Sequence, residues 1–83
     1  MMTVNNYYSW TAIDTMLALP DTRQRQIEFL RTNHLPTFAK TGQAKVSSTY
    51  PQFQYHFTVA TFHLTLHYWL DMNDQANIFQ IDV

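Results

Sequence analysis

This sequence predicts an α+β fold, two N-terminal helices packed on a small antiparallel sheet formed by the C-terminal half, and three observations carry that prediction. Between Trp10 and Leu30 the apolar residues recur at spacings of three and four, the period of a helix face. Over residues 53–70 they alternate with polar ones, the period of a strand. After the polar run 71–75, Ile78, Phe79, Ile81 and Val83 supply a further strand.

Ser9 is placed to cap the first helix, because its hydroxyl can accept one of the N–H groups that a helix start leaves unpaired. Trp10, Ile13, Met16 and Leu17 then share a face until Pro20 stops the pattern, so this helix is expected over residues 10–19. Asp21 is expected to cap a second helix that carries Arg23, Arg25, Ile27, Glu28, Leu30 and Arg31 and ends near Asn33 and His34, ahead of Leu35-Pro36. Its apolar stripe is narrow. Ile27, Leu30 and Phe29 are expected to face inward, with the arginines and glutamines in water. Residues 35–45 are mixed in character and hold a turn at Gly42, the only glycine.

A short polar strand is expected over residues 44–50, followed by a break at Pro51-Gln52. In the stretch 53–70 the apolar set Phe53, Tyr55, Phe57 and Val59 sits at odd positions, and Phe62, Leu64, Leu66, Tyr68 and Leu70 at even ones. The change of parity at Ala60-Thr61 predicts a bend or bulge in one long strand. Val59, Phe62, Leu66, Trp69 and Leu70 also fit helical spacing, but the threonines and aromatic residues around them favour a strand. Residues 62–70 are expected to pair with 77–82.

Composition sets the limits. Eighty-three residues are expected to form one domain, 1–83, and a domain of that size buries only ~60 to 65% of the surface its unfolded chain exposes. With 46% apolar and 16% aromatic residues, large side chains compensate. Only 13% of residues are charged and the net charge is -1, a surface that resists association poorly, so a homo-oligomer is expected. There is no cysteine, hence no disulfide and no thiolate metal site. Residues 1–6 lack the pattern of a secretory leader, and polar residues interrupt the stretch 53–70, so a cytoplasmic location and no membrane span are expected.

Chemistry has few footholds. His56, His63 and His67 are expected on one polar sheet face, yet His63 and His67, four residues apart, stand ~13 Å apart along a strand, too far for one ion. A metal site at His63 and His67 would need a helix, and no further ligands follow at a known spacing. Ser9, Ser47 and Ser48 occupy no nucleophile elbow, the carboxylates are scattered, and one glycine cannot build a phosphate loop. No enzyme and no cofactor are expected. The basic residues Arg23, Arg25, Arg31, Lys40 and Lys45 all fall within 22–45 with only Glu28 opposing them, five against one for a local net of +4. That segment is an alternative nucleic-acid-binding surface, although so few charges support only weak binding.

The aromatic surplus is the stronger signal. Two short helices cannot cover both faces of a sheet, and Tyr55, Tyr68 and Trp69 cannot all lie on one side of it. The expectation is therefore a non-enzymatic interaction module, associating with itself or another protein through an aromatic sheet face or the C-terminal edge strand. Tyr55, Tyr68, Trp69 and Phe79 are the candidate contacts.

Overall fold

A computed structural model describes residues 6–47 and 49–83. Helices α1 (Trp10–Leu17), α2 (Asp21–Asn33) and α3 (Leu35–Lys40) precede strands β1 (Phe53–Val59), β2 (Phe62–Leu70) and β3 (Ala76–Asp82). The strands form one antiparallel sheet in the order β1-β2-β3. The α+β layout is thus the expected one, with α3 as an addition.

Ser9 caps α1 as its sequence position requires: its hydroxyl accepts from the Ala12 N–H at 3.1 Å and donates to the Phe79 carbonyl at 2.6 Å. One side chain thereby starts the helix and ties it to β3. Asp21 does not cap α2. Pro20 holds the capping position and Asp21 lies in the first turn, where its negative charge still favours the helix N-terminus. Ile27 faces the core as expected, but Gln24 and Arg31 are buried beside it while Phe29 is 64% exposed. Pro36 ends no helical region; it sits in the first turn of α3, where a missing N–H costs nothing.

The strand expected over residues 44–50 is absent among the described residues. A turn occupies that place, with Lys45 making a single bridge to Phe53, and Ser48 lies outside the described residues. Gly42 does form a turn, at φ 83.

Residues 53–70 are two strands, not one bulged strand. Ala60 and Thr61 form a tight turn, with φ 53 at Ala60, and the register runs unbroken from Val59–Phe62 to Phe53–Tyr68. A positive φ at the first central residue is the hairpin solution that matches strand twist. The bulge lies elsewhere, in β3. Tyr68 pairs with Ile78 and His67 with Gln80, which leaves Phe79 as the extra residue and lets Ile78 and Ile81 both face the core.

Leu64, Leu66 and Tyr68 of β2 and Ala76, Ile78 and Ile81 of β3 meet Ala12, Ile13, Met16, Ile27, Leu35 and Ala39 of the helices in one buried cluster. Burying each large aliphatic side chain stabilises the fold by about 1.5 to 3 kcal/mol. Among the described residues Arg31 is the charged group buried with this core: 4% exposed, it bonds the Glu28 carboxylate at 2.7 and 2.9 Å and the Ala76 carbonyl at 3.3 Å. The Tyr8 hydroxyl donates to the same carboxylate, and the guanidinium lies over the Tyr7 ring. Burial of Glu28 alone would raise its carboxyl, but the hydrogen bonds from Arg31 and Tyr8 hold it below the ordinary range. Burial and then the Glu28 hydrogen bond push the Tyr8 phenol up, so it stays a donor. No helix of the described residues is long and apolar enough to cross a membrane.

Candidate functional site

Because the helices lie on one side of the sheet, no helix of the described residues covers the side chains that alternate to the other side. They are Gln54, His56 and Thr58 from β1, His63, Thr65, His67 and Trp69 from β2, and Asn77, Phe79, Gln80 and Asp82 from β3. Cross-strand partners share a face, and these meet in polar pairs. His56 Nδ1 is 2.9 Å from Thr65 Oγ1, His63 Nδ1 is 3.2 Å from Thr58 Oγ1, and Gln54 Nε2 is 3.4 Å from His67 Nδ1. His67 Nε2 stands 2.7 Å from Asp82 Oδ2, while Gln80 donates to Asp82 Oδ1 at 2.7 Å. The Gln80 bond and then His67 hold the Asp82 carboxyl below its ordinary range, against a smaller opposing effect of desolvation.

The face ends in an aromatic patch. Trp69 is 45% exposed, Phe79 is half-buried beside His67 with ring centroids 6.1 Å apart, and the 72% exposed Tyr50 with Pro51 closes a recess of about 360 Å³ against them. The bulge is what turns Phe79 to this side. A second recess of about 220 Å³ adjoins it, lined by Trp69, Phe79 and residues of the segment that leads into α1. The two recesses share the Trp69 and Phe79 rings.

The sequence candidates separate accordingly. Trp69 and Phe79 belong to the patch. Tyr68 is a core residue at 0% exposure whose hydroxyl donates to the Leu35 carbonyl at 2.9 Å; it has no surface to offer a partner. Tyr55 faces the helices, its ring edge-on to Phe38 at 5.0 Å and to His34 at 4.8 Å. Tyr50, which the sequence reading passed over, replaces them; Pro51 between a tyrosine and a strand was the available sign of a residue held near the sheet. The C-terminal edge is partly occupied, since Tyr8 bridges Ile78 in parallel, with Ser9 N–H to Ile78 O at 3.0 Å and Ile78 N–H to Tyr7 O at 2.8 Å.

The basic residues do not converge. Arg31 is buried with Glu28, Arg23 lies over the Phe62 ring at 4.4 Å, and Lys40 pairs with Asp74 at 2.9 Å. Arg25 stands on the exposed side of α2 and Lys45 near the start of β1. His63 and His67 share the open face, each held by its own neighbours, and among the described residues no group of three or more histidine and acidic side chains could hold a metal ion. The His67–Asp82 pair resembles the orienting half of a catalytic triad, but His67 Nδ1 faces an amide, Gln54, and not a nucleophile. Ser9 is engaged as a cap and Ser47 accepts from the Tyr50 N–H at 3.3 Å.

Comparison with protein-family models, with curated proteins and with solved structures finds no match.

Proposed function

We propose that this chain is a non-enzymatic protein-interaction module that self-associates through the open face of its sheet, about Trp69 and Phe79. The observation that carries the reading is the exposed Trp69 ring set beside Phe79 and Tyr50 on a face that no helix of the described residues covers. An aromatic side chain offers ~150 to 250 Å² for burial, and Trp and Tyr at the centre of a desolvated patch dominate interface energetics. The surrounding face suits a second copy of itself. Its strands bring no lysine or arginine and one carboxylate, Asp82, already engaged by His67 and Gln80, and its threonines, glutamines and histidines offer both donors and acceptors. A two-fold interface needs such self-complementarity. A single-stranded nucleic acid would instead need cations around the rings, and the basic residues lie elsewhere.

Trp69 reports on its own burial. In a Trp10→Phe variant it is the only tryptophan, since the chain has 2. Its emission should shift to shorter wavelength as the protein is concentrated, and an unchanged spectrum from low to high concentration would contradict the reading.

A further inference from the structure

We propose that the outer edge of β1, with the groove beside it, takes up an extended segment of a partner protein as a fourth strand, placing an apolar side chain in the groove and a carboxylate at Arg25. This surface is separate from the open face. Its first support is the backbone. The Gln54 N–H donates outward to the Ala44 carbonyl at 2.9 Å, and the Gln52 carbonyl accepts outward from the Val46 N–H at 2.9 Å. Backbone groups alternate between the two sides of a strand, and the unbroken pairing of β1 with β2 keeps that alternation, so the N–H and C=O of His56 and Thr58 also point outward. Among the described residues no backbone group pairs with them. A row of donors and acceptors at this repeat is matched by another extended chain, and residues 53–59 contain no lysine or proline to discourage one.

The second support is the groove. α3 covers β1 at Tyr55, whose ring lies against His34 and Phe38. Farther along, α2 and Phe57 bound an open groove of about 540 Å³ lined by Thr22, Arg25, Gln26, Phe29, Leu30 and Phe57. A residue of an added strand opposite Phe57 projects to the same side of the sheet as Phe57, and so into the groove. Charge then selects the occupant. Arg25 is the one charged residue lining the groove, is exposed, and joins no ion pair among the described residues. Pairing with β1 of a second copy would bring two Arg25 guanidiniums into one shared groove, where like charges oppose each other. An acidic residue two positions from the apolar one lies on the same strand face and can meet the guanidinium.

The probe is the heptapeptide acetyl-Thr-Glu-Thr-Leu-Thr-Glu-Thr-amide, whose symmetric pattern makes strand direction immaterial, titrated into the full ¹⁵N-labelled chain. Saturable shifts are expected at the amides of His56, Thr58, Phe57 and Phe29. Replacing the peptide's glutamates by lysines should weaken binding about tenfold, and Arg25→Glu should reverse that preference. Thr58→Pro removes an outward N–H while leaving the β2 ladder in place, and should abolish binding with the dispersed spectrum retained. If that variant fails to fold, the exposed Arg25→Glu substitution still decides. The proposal is overturned by no saturable shift at millimolar peptide, by shifts confined to Trp69 and Thr65 on the open face, or by equal affinity for the lysine peptide. It is also overturned if the same amides move with protein concentration alone, which would give the edge to a second copy.

Discussion

Gly42 and Ala60 meet the same backbone demand, a positive φ, with opposite residue types. Gly42 has φ 83 with no atom within 4 Å of where a Cβ would stand, so only its conformation requires glycine. Ala60 adopts φ 53 at the hairpin turn while carrying the Cβ that disfavours it. Gly42→Ala should therefore cost about 1 kcal/mol, and Ala60→Gly should gain about 0.5 kcal/mol, with urea midpoints moving in opposite directions. Glu28 gives a pH signature. Its folded-state carboxyl is held low, so its contribution to stability is complete above the unfolded carboxylate's range and is lost as pH falls through the folded value. The stability gap between the native chain and Glu28→Gln, followed by urea denaturation, should be widest near neutral pH and close below about pH 4, the ordinary carboxylate range. The Gly42 turn was legible because a lone glycine marks itself. The burial of Arg31 was not, since an arginine on a narrow amphipathic stripe reads as solvated until the Ala76 carbonyl, 45 residues away, accepts from it and the distant Tyr8 hydroxyl donates to its helix partner Glu28.

The strands were legible in kind before they were legible in number. Alternation over residues 53–70 identified sheet, and the parity change at Ala60-Thr61 identified an interruption, but a bulge and a two-residue hairpin both reverse parity. The hairpin was hidden because its turn holds alanine and threonine where asparagine or glycine usually announces one. The true bulge was visible: Ile78 and Ile81 lie at positions of opposite parity, and one extra residue between them lets both reach the core. α3 escaped because Leu35-Pro36 reads as a terminator, whereas proline in a first turn starts helices as readily. The contact between α3 and β2 is testable. Tyr68→Phe keeps the buried ring but leaves the Leu35 carbonyl without its 2.9 Å donor, and should lower unfolding free energy by about 1 to 2 kcal/mol in urea titrations.

The molecule is a sheet with helices on one side, and that asymmetry is the source of its proposed behaviour. The sequence showed that rings outnumbered the places to bury them and that Tyr55, Tyr68 and Trp69 could not share a side; strand register then decided that the tyrosines belong to the helix side and Trp69 to the other. Phe79 was already among the rings the sequence offered beside Trp69, but the bulge that turns it to this side and the approach of Tyr50 from outside the sheet exist only in the folded register. The low charge of the chain adds to the same outcome, since little electrostatic repulsion opposes two such faces meeting. Sedimentation equilibrium over a range of concentrations, on the native chain and on Trp69→Ser, tests that meeting. The native chain should fit a reversible monomer–dimer equilibrium and the variant a folded monomer. A native chain that remains monomeric at high concentration, or a variant that dimerises as well as the native chain, would contradict it.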